Sequence, residues 1–425
     1  MASTMAARKR EPGKIVRVSG GKAATSIFSA DSLILADSPL RDRKSNSDAS
    51  PFAAGEVDLH LFPAGYHPLA MNLFDSFQIR DISFRNRIAV SPMCEYSSED
   101  GFANDWHLVH LGTRAVGGAG TVLTEATAVL SDGRISPSDL GIWKDAHIEN
   151  LARIVRFLRQ HGAVAGTQLA HAGFKASTPV PWSNQRTPVA VADGGWRPIY
   201  SSTAKGFTPE SIQPEALTPE GIARIAQAFA EGARRSLEAG FELVEIHGAH
   251  GYLVHQFLSP LVNTRTDQYG GSFENRTRIL REIIEAVRKV WPERLPLWLR
   301  ISASDWTEGG WTIEDSIALA RQVKPLGVDL IDSSSGGIVP AAKIPLGPGY
   351  QTRFAERIRR EAGILTGAVG MITAPEQAQH IIATGQADIV LLARELLRDP
   401  YWPLRAAHVL KQQTAWPKQY ERARF

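Results

Sequence analysis

The chain of 425 residues contains a single cysteine, Cys94. One cysteine excludes an internal disulfide bond and any zinc or iron–sulfur site built from several cysteines. Such scarcity is typical of proteins from a reducing compartment, so we expect a cytoplasmic location.

Long apolar runs and an excess of charge of one sign are also missing. No apolar run approaches the roughly 20 residues that span a bilayer. The formal net charge is only +3, so the chain lacks the strongly basic composition that is typical of a nucleic-acid-binding protein. We therefore expect neither a membrane nor a nucleic-acid partner. With 43% apolar and 21% charged residues, the composition indicates an ordinary globular protein.

Residues 1–70 show no sustained helical or strand period and are rich in Ala, Ser, Asp and Pro. This pattern predicts a flexible or disordered N-terminal extension. The first 22 residues are basic, with Glu11 as their only acidic residue. A mitochondrial presequence is the alternative interpretation, although residues 8–12 interrupt the amphipathic pattern.

From residue 71 to residue 425 a unit recurs in which an amphipathic helix is followed by a short apolar strand and polar residues. Eight strands are predicted, and the intervening segments carry apolar residues at helical spacing. The strands are IAVSP (88–92), TVLTEA (121–126), VAGTQLA (164–170), LVEIH (243–247), LWLRIS (297–302), DLIDSS (329–334), ILTGAV (364–369) and DIVLLA (388–393).

Continuous Val, Ile and Leu runs indicate strands buried on both faces, as in a parallel sheet covered by helices. Eight such units predict one α/β domain, a TIM (β/α)8 barrel over residues 71–425. The rival is an open doubly wound sheet, which lacks support because no G-x-G-x-x-G follows the first strand. Residues 171–218 interrupt the repeat after strand 3, and we interpret them as a capping insertion, with plain surface elaboration as the alternative.

His247 and His250 follow the fourth strand, where the active sites of barrels lie. Two histidines suggest a metal site. A catalytic zinc ion, however, needs a third protein ligand, and the sequence contains no H-E-x-x-H motif. We favour a pair of hydrogen-bond donors facing one oxygen of a substrate, and predict no metal. Structural histidines with satisfied hydrogen bonds are the remaining alternative.

Gly370 and Arg394 follow the seventh and eighth strands, where barrels commonly bind phosphate. A phosphorylated cofactor is therefore predicted. The alternative for Arg394 is an ion pair with Glu395 or Asp399.

Several long segments carry a resemblance to a known family, among them RNRIAVSPMCEYS, QLAHAG, EIHGAHGYLVHQFLSPLVNTRTDQYGGSFENRTR, TGAVGMIT and RELLRDP. The chain resembles the old yellow enzymes, and within them the thermophilic-like ene-reductases. This resemblance implies a flavoprotein with non-covalent FMN, NADPH or NADH as the reductant, and enones as substrates.

The resemblance also implies the roles of individual residues around the cofactor. Cys94 would tune the redox behaviour of the flavin, and its alternative role is to fill an apolar gap. The implied cofactor-binding residues are Pro92, Met93, Cys94, Ala126, Gln168, Arg300, Gly370, Ala393 and Arg394.

For the substrate, the resemblance implies that His247 and His250 bind its carbonyl or nitro oxygen. Tyr252 would protonate the α-carbon and Tyr96 would contact the substrate, although either could be an ordinary buried aromatic. In the tail, residues 414–425, Arg422 would reach the active site of a neighbouring subunit. A homodimer or homotetramer is therefore expected, and a frayed tail is the alternative.

Three positions depart from the family pattern. Phe174 replaces an arginine, Ala393 replaces a glycine, and Glu95 replaces an uncharged residue beside Cys94. Three other functions compete with that of an ene-reductase: a dienoyl-CoA-type reductase, a metal-dependent hydrolase and a non-catalytic flavin carrier. The single cysteine argues against the first, because that enzyme needs an iron–sulfur cluster.

Overall fold

The computed structural model describes residues 71–185 and 187–425. The predictions for the extension, residues 1–70, lie outside the described residues. Within the described ranges, no helix is both long enough and apolar enough to cross a membrane.

Eight parallel strands close into a barrel, which confirms the predicted fold and all eight predicted strands. Two short strands, β1 (Phe77–Ile79) and β2 (Ile82–Phe84), precede it as an antiparallel hairpin. The barrel strands are β3 (Ile88–Val90), β4 (Thr121–Ala128), β5 (Val164–Ala170), β8 (Leu243–Gly248), β9 (Leu297–Ser302), β10 (Leu330–Ser334), β11 (Leu365–Val369) and β12 (Ile389–Leu392).

Helices connect the strands and cover the outside of the barrel, because each buries an apolar stripe against the continuous apolar strands. Their bounds are α1 (Asp105–Val116), α2 (Ile148–Gln160), α3 (Pro219–Glu238), α4 (Leu253–Leu258), α5 (Phe273–Val290), α6 (Ile313–Val323), α7 (Thr352–Ala362), α8 (Pro375–Ala383), α9 (Arg394–Arg398) and α10 (Trp402–Val409).

The amino-terminal end of the barrel is closed by aromatic side chains. Phe84 of the hairpin stacks on Trp298 with ring centroids 6.0 Å apart, and Phe77 stacks on Phe84 at 4.7 Å. Phe84 and Trp298 are fully buried among leucine and isoleucine side chains from the barrel interior. A ligand must therefore enter at the opposite end, where the strands terminate.

In residues 171–185 and 187–218 the regular elements are short, among them the paired strands β6 (Tyr200–Ser201) and β7 (Glu215–Ala216). The segment lies against the carboxyl-terminal side of the barrel, since the Ser202 hydroxyl donates to the Gln256 carbonyl of α4 at 2.9 Å. Trp182 in the same segment meets the Tyr96 ring edge-on at 5.6 Å.

Candidate active site

A polar layer fills the barrel interior just below its open end. The Gln168 amide donates to Glu245 Oε1 at 2.8 Å, and Arg300 Nε lies 3.1 Å from Asp332 Oδ2. Strand register produces both contacts, because Gln168 is the partner of Glu245 across β5 and β8, and Arg300 that of Asp332 across β9 and β10. All four side chains are buried.

Burial also decides which groups of this layer carry charge. It raises the pKa of Glu245 to about 8, helped by the neighbouring charge of Asp332 and opposed by Arg300. Burial raises the pKa of Asp332 as well, and Arg300 again opposes the shift. Glu245 therefore keeps its proton at neutral pH, while Asp332 serves as the counter-ion of Arg300.

His247 lies one layer above Glu245, since the two residues are two positions apart on β8 and face the same way. Its ring and that of His250 are 5.2 Å apart and nearly perpendicular. His247 Nδ1 accepts the backbone N–H of Ala249 at 3.2 Å. A neutral His247 therefore carries its hydrogen on Nε2, which is a donor.

His250 stands on a left-handed backbone, with φ 58°. Two serines at the ends of β9 and β10 hold it, because its N–H donates to Ser302 Oγ at 2.9 Å and its Nε2 lies 2.7 Å from Ser334 Oγ. If the Ser334 hydroxyl donates to Nε2, the hydrogen of a neutral His250 is on Nδ1 and remains available as a donor.

Both histidines are neutral at physiological pH. Burial lowers the pKa of each well below the usual range, and the positive charge of Arg300 lowers it further. Lys175 acts in the same direction and also fixes the loop, because its Nζ donates to the carbonyls of His250 at 2.8 Å and Gly337 at 2.7 Å. The pair is thus a set of uncharged imidazoles, each with one N–H, that does not change protonation near pH 7.

Tyr252 completes this group of side chains. Its ring meets that of His247 at 90° with centroids 4.9 Å apart, and Lys175 Nζ lies 5.6 Å from its centroid. Tyr252 also lines a small recess formed by alanines from β4 and β5, among them Ala126 and Ala170. A phenol hydroxyl is therefore placed at the edge of the barrel mouth, close to the histidines.

The segment after β3 supplies the other side of the mouth, with Pro92, Met93, Cys94 and Tyr96 all partly buried. Tyr96 adopts φ 47°, a value that is unusual for a bulky side chain.

The carboxylate of Glu95 points toward α1. Oε2 accepts the Trp106 indole N–H at 3.0 Å, and Oε1 lies 3.4 Å from His110 Nε2. Burial raises the pKa of Glu95.

The structure also shows the surroundings of Phe174 and Ala393, the two other positions that depart from the family pattern. Phe174 is 3% exposed and packs on Phe207 with centroids 5.4 Å apart, so its ring fills the core of the insertion. Ala393 has φ −105°, so its methyl group requires no left-handed backbone.

The predicted phosphate end presents an exposed cation beside a glycine. Arg394 makes no hydrogen bond or ion pair within residues 71–185 and 187–425, whereas Glu395 and Asp399 pair with Arg398 and Arg405 at 2.8 and 2.6 Å. The ion-pair alternative for Arg394 is therefore wrong. Gly370 adopts φ +123°, and a Cβ there would meet Gln351 at 2.9 Å.

The tail lies along α10 of its own chain. Tyr420 contacts Tyr401 with centroids 5.9 Å apart, and Phe425 contacts His408 at 4.6 Å. Arg422 is exposed, and the structure contains no second chain in which to locate its predicted target.

No group of three or more His, Cys, Asp or Glu side chains lies close enough to bind a metal ion in the part of the chain that the structure describes. Sequence reasoning missed Glu245, Asp332, Ser334 and Lys175. Of these four residues, only Glu245 could have been found from the sequence. It lies two positions before His247 on a strand, and residues at that spacing face the same side.

Known proteins resemble this chain over nearly all of the barrel. A family model described as NADH:flavin oxidoreductase / NADH oxidase matches residues 72–413. An NADPH dehydrogenase from Geobacillus sp. (strain WCH70) is 51% identical over 352 residues, which cover 82% of this chain and 98% of that protein. An NADPH dehydrogenase from Halalkalibacterium halodurans is 49% identical over 353 residues, 83% of this chain and 98% of that protein.

Solved structures agree with the sequence relatives. Morphinone reductase superposes with a TM-score of 0.67 at 25% identity, covering 82% of this chain and 92% of its own. The fold and these relatives together define a flavin-dependent oxidoreductase. The chain belongs to the NADH:flavin oxidoreductase / NADH oxidase family, that of the old yellow enzymes, with FMN as cofactor and a nicotinamide dinucleotide as reductant.

The described side chains fit FMN. Arg394 is an exposed cation without an ion-pair partner among the described residues and is suited to a phosphate, while Gly370 ends the neighbouring strand with φ +123°, a conformation that favours glycine. In the buried layer, Arg300 is a cation whose Nε lies 3.1 Å from Asp332 Oδ2, and the Gln168 amide, which donates one N–H to Glu245, presents its oxygen as an acceptor. These groups supply a cation and an acceptor to a polar ring.

Proposed function

We propose that the protein is an ene-reductase that reduces C=C bonds conjugated to a carbonyl or nitro group. The observation that carries this proposal is the pair of buried, neutral histidines with Tyr252 beside them. In the reaction a negative charge develops on the substrate oxygen, and neutral donors aimed at that oxygen stabilise the transition state more than the ground state. Bound FMN supplies the hydride that reaches the β-carbon.

The proton for the α-carbon is assigned to Tyr252. Tyr252 follows β8, the strand that contains His247, and its ring contacts that histidine. The proposed proton donor and the proposed hydrogen-bond donors therefore lie on one segment of the chain. Lys175 Nζ lies 5.6 Å from the centroid of the Tyr252 ring. Residues 171–218 are assigned the role of a collar around the substrate, because Trp182 reaches the Tyr96 ring.

A substrate assay tests the proposal directly. The FMN-loaded protein is reduced anaerobically with NADPH or NADH and then mixed with cyclohexenone or maleimide. We expect stoichiometric reoxidation of the flavin and formation of the saturated product. A reduced protein that reacts with oxygen but ignores every activated alkene would overturn the assignment while leaving it a flavin oxidoreductase.

Cofactor binding is assigned to Pro92, Met93, Cys94, Ala126, Gln168, Arg300, Gly370, Ala393 and Arg394. We expect Arg394→Ala to weaken FMN binding about 10- to 100-fold, because a hydrogen bond to a charged group contributes about 1.5–3 kcal/mol. Fluorescence titration of the apoprotein with FMN measures this loss. The matched control is Arg398→Ala, whose guanidinium is exposed and pairs with Glu395; equal losses in both variants would refute the assignment.

Arg422 is assigned to the active site of a neighbouring subunit, with the homodimer or homotetramer as the working unit. This needs the tail to leave α10 or the partner to dock beside it. Arg422→Ala is expected to lower turnover about tenfold, the value of one charge-assisted hydrogen bond. Arg424→Ala is the control, since that side chain donates to Gln413 Oε1 of its own chain at 2.8 Å. Turnover that is unchanged in Arg422→Ala, or a monomer with full activity, would contradict the assignment.

A further inference from the structure

His255 and Asp305 form a buried pair next to the proposed site that the proposed chemistry does not use. His255 Nε2 lies 2.9 Å from Asp305 Oδ1, and both side chains are 0% exposed. His255 belongs to α4, which follows the His247–Tyr252 segment, and Asp305 follows β9. Burying two such polar side chains is costly unless their nitrogen and oxygen atoms have hydrogen-bond partners.

The second nitrogen of His255 holds the backbone of Gly251. The Gly251 N–H donates to His255 Nδ1 at 2.9 Å, and the Gly251 carbonyl accepts the Gln256 amide at 2.7 Å. Both backbone groups of the residue between His250 and Tyr252 are thus bonded to adjacent side chains of α4. Only glycine fits at this position, because it adopts φ +73° with Gly337 O only 2.2 Å from where a Cβ would lie.

Asp305 fixes the tautomer that this arrangement requires. Its second oxygen accepts the Ser259 hydroxyl at 2.6 Å and the Trp311 N–H at 2.7 Å. Burial raises the pKa of Asp305, but His255 and these donors outweigh it, and the pKa lies below its ordinary value. An ionised Asp305 accepts a hydrogen from Nε2, which leaves Nδ1 free to accept from Gly251.

We propose that His255 and Asp305 are positioning residues that hold the Gly251 peptide and thereby aim His250 and Tyr252 at the substrate. The inference rests on the proposed function for the roles of His250 and Tyr252. As positioning residues, His255 and Asp305 do not contact the substrate themselves. Their effect is geometric, and a displacement of about 1 Å of a reacting group costs about 100-fold in rate.

The test uses the full chain loaded with FMN. His255→Leu removes both hydrogen bonds, Asp305→Asn changes the tautomer preference, and His255→Asn restores an acceptor close to Nδ1. Asp388→Asn is the matched control, since Asp388 is a buried carboxylate that accepts the Thr366 N–H at 2.9 Å at the amino-terminal end of the strands. Enone kcat and KM, thermal midpoint and the affinity for a phenol are measured. The phenol oxygen probes the histidine donors without any turnover.

We expect His255→Leu to lower kcat about 100-fold and phenol affinity about tenfold, with partial recovery in His255→Asn and smaller losses in Asp305→Asn. Asp388→Asn should lower the thermal midpoint and change neither kcat nor phenol affinity. If His255→Leu does not fold, the kcat and phenol affinity of Asp305→Asn test the positioning role instead.

The positioning role is overturned if the His255 and Asp305 variants keep kcat and phenol affinity within twofold of wild type. It is equally overturned if they lose no more than Asp388→Asn. A wild type that ignores enones would instead overturn the proposed function, and phenol affinity alone would then decide the role of the pair.

Discussion

Replacing both His247 and His250 with alanine should abolish enone reduction while FMN stays bound. Each aimed donor contributes about 100- to 1,000-fold to the rate of such a reaction, or about 3 kcal/mol. The residues assigned to FMN lie on other strands, so the flavin content should be unchanged. Stopped-flow reoxidation of the reduced variant by cyclohexenone measures the loss, and the absorbance of the bound flavin measures the cofactor.

The control for this experiment is His380→Ala, which removes an exposed histidine of α8. A double variant that retains enone turnover within tenfold of wild type would refute the role of the pair. Because the pKa of each histidine is held far below its ordinary value by burial and by Arg300, wild-type phenol affinity should not weaken through donor protonation when the pH falls from 8 to 6.

Tyr252→Phe is expected to have the second largest effect. General acid catalysis contributes about 100- to 10,000-fold, so turnover of enones should fall by that order while phenol affinity and FMN content stay near wild type. The difference between the two variants is informative, since the proposed function assigns the substrate oxygen to the histidines and only the proton to the tyrosine. Product formed in D2O by the wild type should carry deuterium at the α-carbon.

Tyr269→Phe is the matched control for the loss of a phenol hydroxyl, because the Tyr269 hydroxyl donates to Glu282 of the outer helix α5 at 3.1 Å. The assignment of Tyr252 fails if its phenylalanine variant turns over enones as fast as wild type. It also fails if Tyr269→Phe loses as much activity.

The sequence alone determined the fold. Continuous apolar strands separated by amphipathic helices have few ways to bury both faces, and eight repeats close into a barrel. The strand ends then mark one face, so His247, His250 and Tyr252 could be placed at the barrel mouth from their positions in the chain. The phosphate end was predicted in the same way from Gly370 and Arg394.

Only the tertiary structure decided which side chains meet. Arg300 and Asp332 are 32 positions apart in the chain and pair because strand register sets them side by side. Lys175 reaches the His250 carbonyl from a different loop, and Asp305, which follows β9, meets His255 of α4. Burial then raised the pKa of Glu245 and lowered the pKa values of His247 and His250, because the free energy of a charge depends on its surroundings. Local sequence encodes elements and their ends, whereas contacts between distant residues follow from packing the closed barrel.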